Sequence, residues 1–247
     1  MIQPYTPDVS LKGKLRRRFA RLTHRRPAKL SLSRPTISFT FDDIPATAAH
    51  AGAAALEAEG AHGTFYVCAG LFGQEGHMGR FADAAEIVAL IERGHEIAGH
   101  TFGHVDCHRT ADADLQRDLD DNDAALSGMG APQVHFAFPY GEVSPHAKAL
   151  LASRYASLRG VHKGLVRDGD DLNQLPGVGI EGVDGLTVAR SWIDRAVADT
   201  AWLILYTHDV RETHSPWGCT PDALSWLIRH ARESGCDIRT VGQVLNG

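Results

Sequence analysis

The chain has 247 residues, of which 43% are apolar, and its 25 basic and 30 acidic residues give a net charge of −5. This length suits one large domain or two small ones, and the apolar fraction is sufficient for a core. No apolar run approaches the roughly 20 residues that a membrane-spanning helix needs, and no secretory leader opens the sequence. We therefore expect a cytoplasmic protein, or one acting at the inner face of the membrane.

Four cysteines stand far apart in the chain, at Cys68, Cys107, Cys219 and Cys236, and no two of them form a Cys-x-x-Cys pair. This spacing argues against a zinc ribbon and against a disulfide framework. We expect the cysteines to be reduced and mostly buried.

The positive charge is concentrated at the N-terminus. Residues 1–33 carry nine Lys or Arg and one acidic residue, so residues 34–247 keep 16 basic and 29 acidic residues, a net charge of −13. Within this basic arm four apolar residues recur at helical spacing: Leu11, Leu15, Phe19 and Leu22. A basic amphipathic helix can lie on an anionic membrane surface, which makes residues 11–29 a candidate for peripheral membrane contact.

Two other interpretations of the arm stay open: a solvated helix, or a helix docked on the acidic remainder of the chain. We do not expect nucleic-acid binding, because the arm lacks interleaved aromatic residues and the remainder is acidic.

From residue 34 onward short apolar runs alternate with helical patterns. Predicted strands occupy residues 37–41, 63–67, 96–98, 134–138, 155–158, 178–180, 202–206 and 237–240. Predicted helices lie at residues 46–59, 81–93, 112–127 and 187–198, with two more beginning at Ser144 and Thr220. Such alternation predicts an α/β fold with a mainly parallel sheet. Because no glycine-rich phosphate loop follows the first strand, we favour a barrel at residues 34–247 over a nucleotide-binding fold.

The first strand ends in two adjacent carboxylates, Asp42 and Asp43. Ile37, Phe39 and Phe41 alternate with smaller, more polar residues, which is typical of a strand. Where the strand opens into a loop, both carboxylates can face one site. The alternative is that one of them caps a helix beginning near Pro45.

His100 and His104 follow the third predicted strand and lie four residues apart. On one face of a helical turn their imidazoles can share a first-row metal ion, and a carboxylate would complete a site with positions open for water. His104 and His108 form a rival pair further from the strand end. In parallel barrels the chemistry lies at the carboxyl ends of the strands. Those ends here carry Asp42, Asp43, His100, His104, Pro139, Tyr140, His208 and Asp209.

Four segments in order resemble the motifs of the polysaccharide deacetylases, the NodB homology or carbohydrate esterase family 4 group. They are Thr40-Phe41-Asp42-Asp43, His100-Thr101-x-x-His104, Phe136-x-x-Pro139-Tyr140-Gly141 and Leu205-x-x-His208. The resemblance covers about residues 34–240 and implies a distorted, often seven-stranded (β/α) barrel. It also implies a divalent metal, with Asp43, His100 and His104 as ligands, Asp42 as general base and His208 as general acid.

The chemistry of amide hydrolysis is consistent with these roles. A divalent metal, zinc first or cobalt or another first-row ion, can lower the pKa of bound water from about 15.7 towards 7. Asp42 can accept a proton from that water, and His208, with an ordinary pKa of about 6.5, can donate one to the leaving amine. The backbone N–H of Tyr140 can stabilise the oxyanion.

Two departures from the family pattern concern the residues that support the site. Many members have an Arg in the third motif that holds the catalytic Asp, whereas this chain has Ala137. Arg109, Arg159 and Arg167 are the candidate replacements. No Asp-x-x-Asp-Trp motif is present to supply a partner for His208. Both departures resemble the Phe-Ala-Tyr-Pro subgroup of exopolysaccharide deacetylases, which includes holdfast-type enzymes.

Trp217 lies on a loop beyond His208, where its ring can stack on a pyranose or serve as a lid packed on the barrel. Together with Pro139 and Tyr140 it is our candidate for substrate binding. We expect a metal-dependent enzyme that removes N-acetyl groups from N-acetylglucosamine-type residues of a bacterial polysaccharide or oligosaccharide. The alternatives are a deacylase of a small amide or peptidoglycan fragment, and a catalytically silent carbohydrate-binding protein.

Overall fold

The computed structural model describes Asp8 and residues 10–246. The strands of this part of the chain are β1 (Thr36–Asp42), β2 (Thr64–Val67), β3 (Glu75–Gly76), β4 (Gly79–Arg80), β5 (Glu96–Gly99), β6 (His135–Ala137), β7 (Ser157–Arg159), β8 (Val178–Gly179), β9 (Trp202–Thr207) and β10 (Asp237–Ile238). The α-helices are α1 (Leu11–Ala20), α2 (Ala53–Glu57), α3 (Ala84–Glu92), α4 (Asp112–Gly128), α5 (Pro145–Ala152), α6 (Gly185–Asp199), α7 (Pro221–Glu233) and α8 (Val241–Leu245).

Seven strands form one curled parallel sheet in the order β7-β6-β5-β2-β1-β9-β8, and β10 pairs with the start of β1. The segment before β8 draws the two edges together, because Leu175 N donates to Leu158 O at 2.8 Å and Gly160 N donates to Leu175 O at 2.9 Å. Only β3 and β4 stand apart among the described strands, as a small antiparallel hairpin. The predicted distorted seven-stranded (β/α) barrel is confirmed.

The alternation in β1 separates two environments. Ile37, Phe39 and Phe41 pack in the main core, and the ring of Phe41 stacks on Phe65 at a centroid distance of 4.6 Å. The intervening residues are polar and buried: the Ser38 hydroxyl accepts a hydrogen bond from the Trp202 indole, and the Thr40 hydroxyl donates one to a backbone carbonyl of β9. Side chains two residues apart share a face of a strand, so Asp42 continues this polar face.

Most helices begin at residues that the sequence marks as caps. Asp83 and Glu86 form a capping box at α3, and Ser144 and Thr220 cap α5 and α7, each followed by proline. The helix expected at residues 46–59 instead opens as a π-helical turn, Ala48–Gly52, before α2. At this turn Gly52 packs on Phe41, and an added Cβ would lie 2.7 Å from the ring. The wide turn thus fits the chain against the first strand.

None of the described helices is long and apolar enough to cross a membrane. All four cysteines are free and buried, as predicted.

Candidate active site

The candidate site is built where β1, β5, β6 and β9 end. Asp43, Thr101, His104 and Tyr140 all have left-handed backbone conformations there, with φ of 60°, 64°, 53° and 61°. Non-glycine residues rarely adopt this conformation, and such strain is concentrated at functional sites in proteins. These residues follow β1, β5 and β6, so the backbone has left-handed turns at three of the four strand ends.

Asp43, His100 and His104 are buried and in contact. His104 Nε2 lies 3.0 Å and His100 Nε2 3.2 Å from Asp43 Oδ1. Burial acts to raise the pKa of Asp43, but His104 and His100 lower it well below the usual range, with a smaller contribution from His208. Burial acts to lower the pKa of His104, but Asp43 raises it. The predicted ligand residues therefore lie together and are electrostatically coupled.

The other ring nitrogens of the two histidines indicate which atoms face Asp43. His100 Nδ1 lies 2.8 Å from the carbonyl oxygen of Ala137, which can only accept a proton. His104 Nδ1 lies 3.0 Å from the Tyr140 hydroxyl, which itself donates to the His104 carbonyl oxygen. In the neutral form both rings are then protonated at Nδ1 and direct an Nε2 lone pair at Asp43.

Two imidazole nitrogens thus approach Asp43 Oδ1, which has no hydrogen-bond partner among the described residues. The Nε2 lone pairs and the carboxylate oxygen repel one another unless protons or a cation lie between them. Two imidazoles and a carboxylate, each imidazole fixed by an outer hydrogen bond, are a donor set that suits a first-row divalent metal. The residues present fit the metal that the family resemblance implies.

Cys68 offers a different donor set: among the described residues, its sulfur and the ligand atoms of Asp43 and His100 form the one group of three that all lie within 4.8 Å of one another. The thiol donates to the carbonyl oxygen of His100 at 2.9 Å. Burial, followed by the charge of Asp43, raises its pKa well above the usual value. We favour His104 as the third ligand, because it contacts Asp43 directly whereas the Cys68 proton is engaged by a carbonyl.

Asp42 is held by Arg159. This contact identifies which arginine takes the place of the one that many family members have where this chain has Ala137. One terminal nitrogen of the buried Arg159 guanidinium donates to both carboxylate oxygens, with the Oδ2 contact at 2.5 Å. The rings of Tyr66 and Tyr206 lie 4.9 and 5.0 Å from its central carbon. Burial disfavours the charge, but Asp42 raises the pKa of Arg159 above its ordinary value. Asp42 is therefore fixed in orientation by a charged partner.

Arg159 lies on the strand next to the position where the family pattern places its arginine, which is Ala137 in this chain. In the ladder between β6 and β7, Ala137 pairs with Arg159. Ala137 lies with Ala98 and Tyr66 in a small buried cluster. The other two candidates are elsewhere: Arg109 contacts Asp106, and Arg167 contacts Asp199.

His208 is oriented by the loop that follows β9. Its Nδ1 lies 3.2 Å from the Trp217 carbonyl oxygen, which leaves Nε2 as the nitrogen available for proton transfer. Asp209, fully buried, accepts hydrogen bonds from the Ser215 N–H at 2.8 Å, the Ser215 hydroxyl at 2.5 Å and Arg211 at 2.8 Å. Burial acts to raise the pKa of Asp209, but the bonds from Ser215 and Arg211 lower it. Asp209 therefore fastens the loop rather than pairing with His208.

Trp217 lies on the rim with 36% of its surface exposed. Its ring meets His77 edge to face at 5.0 Å, so the turn between β3 and β4 contacts the loop after β9. Burial lowers the pKa of His77, although Asp43 acts against this effect. Gly218 permits the close return of the loop, because an added Cβ would overlap Asp209.

Glu181 was not singled out from the sequence. It lies two residues beyond β8 and accepts a hydrogen bond from the Tyr206 hydroxyl at 3.2 Å. Burial raises its pKa, and the charge of His208 opposes that rise. The one feature of the sequence that could have indicated Glu181 is its position directly after the strand predicted at residues 178–180.

The sequence profile described as "Polysaccharide deacetylase" matches residues 29–157, more than half of the chain. The chain belongs to the polysaccharide deacetylase family, whose members are hydrolases acting on N-acetyl groups. No sequence among the curated proteins matches it significantly.

Solved structures share the fold at low sequence identity. The "T48 deacetylase with substrate" is 18% identical with a TM-score of 0.62, over 87% of this chain and 92% of that chain. Bacillus subtilis PdaA, a family 4 carbohydrate esterase, is 15% identical with a TM-score of 0.60, over 97% and 91%. The Bc1960 peptidoglycan N-acetylglucosamine deacetylase is 16% identical with a TM-score of 0.59, over 89% and 92%.

Proposed function

We propose that this protein hydrolytically removes N-acetyl groups from N-acetylglucosamine-type residues of a bacterial polysaccharide or oligosaccharide, in a metal-dependent reaction that releases acetate. The observation that carries the proposal is the convergence of Asp43, His100 and His104 beside an Asp42 held by Arg159. One carboxylate is thereby free of the ligand set and oriented for proton transfer, which is the arrangement that amide hydrolysis requires.

Asp43, His100 and His104 would hold the divalent cation, zinc first or cobalt. When bound, the cation supplies Lewis acidity for the acetyl carbonyl and for the attacking water. Asp42 accepts the proton from the water, and Arg159 keeps its carboxylate aimed at the site. His208, oriented through Nδ1 by the Trp217 carbonyl, donates a proton from Nε2 to the leaving amine.

Two further residues, Tyr140 and Trp217, bind or stabilise in this proposal. The backbone N–H of Tyr140, in the turn that begins at Pro139, donates to the oxyanion of the tetrahedral intermediate. The exposed ring of Trp217 stacks on a sugar face. We propose an exopolysaccharide of the holdfast type as the substrate context, because Ala137 is typical of that subgroup. Action at the cytoplasmic side of the membrane, on a nascent or lipid-linked glycan, stays a prediction.

The proposal is tested by acetate release from chito-oligosaccharides, a peptidoglycan fragment and a small acetamide. We expect release from the chito-oligosaccharides, its loss after chelation and its return with zinc or cobalt. Asp42→Asn is the matched control for contaminating hydrolases, since it changes one buried side chain at constant shape. Release only from the peptidoglycan fragment or the small acetamide would make the protein a deacylase of that substrate instead. Sugar binding with no release from any of them would instead make the protein a carbohydrate-binding relative.

A further inference from the structure

Helix α1 presents its apolar face away from the protein. Leu11, Leu15 and Phe19 are 73%, 58% and 58% exposed, and Leu22 just beyond the helix is 71% exposed. The buried residues of α1 are Gly13 and Ala20. At 100° per residue, the three apolar side chains span about 80°, and the buried positions lie on the opposite side. A surface helix of a globular protein ordinarily buries its apolar face, so this orientation is inverted.

The helix is fixed rather than frayed. The Ser10 hydroxyl caps its first turn, and Arg16 and Arg17 both donate to the buried carboxylate of Glu142, the latter at 2.9 Å. At the other end, the buried ammonium of Lys148 donates to the Ala20 carbonyl oxygen at 2.8 Å, where a cation favours the helix dipole. The polar side of the helix therefore docks on the protein, and the apolar stripe is held outward.

The flanks of the stripe are basic. Lys12 lies on one side of the apolar residues and Lys14 and Arg18 on the other, and all three side chains are exposed. This pattern of an apolar stripe between Lys and Arg is that of helices lying in the plane of an anionic membrane surface.

We propose that the stripe Leu11, Leu15, Phe19 and Leu22 docks on an anionic lipid bilayer. A second copy of the chain fits less well, because two stripes face to face would bring their basic flanks together. The other large exposed apolar residues of the described chain are Val134, Val161, Val183, Leu186, Trp217 and Trp226, which belong to five separate segments. No one of these segments supplies an apolar surface as long as the stripe.

The docking surface adjoins the candidate active site. Glu142, which anchors α1, is one residue beyond the Pro139–Gly141 turn, and the hydroxyl of Tyr140 in that turn contacts His104. The residue that anchors α1 is therefore continuous in sequence with a loop of the candidate active site.

The test is flotation of the full chain with two kinds of vesicle: phosphatidylcholine alone, and phosphatidylcholine with phosphatidylglycerol as about a third of the lipid. We expect binding to the anionic vesicles only. Leu15→Glu/Phe19→Glu should weaken that binding by roughly tenfold or more, because it removes apolar area and opposes the lipid charge. Val183→Glu/Leu186→Glu is the matched control, with the same charge change on exposed apolar residues elsewhere, and should bind like wild type.

Absence of binding to anionic vesicles, or equal loss in both double variants, overturns the proposal. A concentration-dependent dimer that Leu15→Glu/Phe19→Glu disperses, without vesicle binding by wild type, assigns the stripe to a second copy instead. Flotation does not depend on turnover, so it can succeed or fail independently of the deacetylase assay. Acetate release from soluble chito-oligosaccharides should be the same for both double variants and wild type.

Discussion

Replacing Arg159 by methionine should leave Asp42, the proposed general base, without the partner that fixes its orientation. The change removes the guanidinium that donates to both oxygens of Asp42 but keeps most of the volume between Tyr66 and Tyr206. Removing one partner of a buried ion pair typically costs about 3–5 kcal/mol. We therefore expect the free energy of unfolding to fall by an amount in that range, measured by urea denaturation.

The catalytic effect should exceed what lost stability alone produces. A general base contributes about 10²–10⁴ in rate, and misplacement by about 1 Å can cost 100-fold. Since Arg159 is buried behind Asp42 and not on the rim, we expect kcat to fall at least about 100-fold with KM little changed. Metal content should stay at the wild-type level, because the ligands are untouched.

Arg167→Met is the matched control, because Arg167 pairs with Asp199 at the surface with about half of each side chain exposed. An exposed pair contributes about 0–1 kcal/mol, so this variant should keep both stability and kcat. The double variant Arg159→Ala/Ala137→Arg returns a guanidinium from the adjacent, register-paired position and should recover part of the lost kcat. A folded Arg159→Met protein with near wild-type kcat would refute the positioning role.

Three further predictions concern the ligands, the general acid and the loop after β9. His104→Ala should lose metal affinity whereas Cys68→Ser should retain it, as measured by metal analysis after dialysis; the reverse would make Cys68 the third ligand. His208→Ala should slow hydrolysis of an amide more than that of an activated ester, whose leaving group needs no proton; equal penalties on both substrates would exclude general acid catalysis. Asp209→Asn should lower the free energy of unfolding at pH 7 by about 1.5–3 kcal/mol. Because the folded pKa of Asp209 is below its usual value, its contribution is present above about pH 4 and lost on further acidification. The difference between Asp209→Asn and wild type should therefore shrink in acid, and a constant difference would contradict this reasoning.

Much of the site follows from strand patterning. The alternation at Ile37, Phe39 and Phe41 places Asp42 on the polar face of β1, and the parallel topology brings the strand ends to one edge. The spacing of His100 and His104 already indicated a shared ligand position. These features depend on local sequence and on topology rules, which a sequence exposes directly.

The supporting contacts depend on registers that the sequence does not show. Arg159 could not be chosen over the other arginines without knowing that it pairs with Ala137 across β6 and β7. Glu181 follows one of the shortest strands, and Cys68 reaches the ligand group only through the packing of β2 beside β5. In α1 the sequence shows an apolar stripe but not which side of the helix docks, since that choice is made by Glu142 and Lys148, more than 120 residues away.

The central claim is that Asp43 belongs to a metal site while Asp42 performs the proton transfer. It is tested most directly by measuring bound metal and acetate release on the same preparations of wild type, Asp42→Asn and Asp43→Asn. Wild type should bind metal and release acetate from chito-oligosaccharides, Asp42→Asn should bind metal with almost no release, and Asp43→Asn should lack both. Loss of metal from Asp42→Asn as complete as from Asp43→Asn, or no release by metal-bound wild type, would contradict the account.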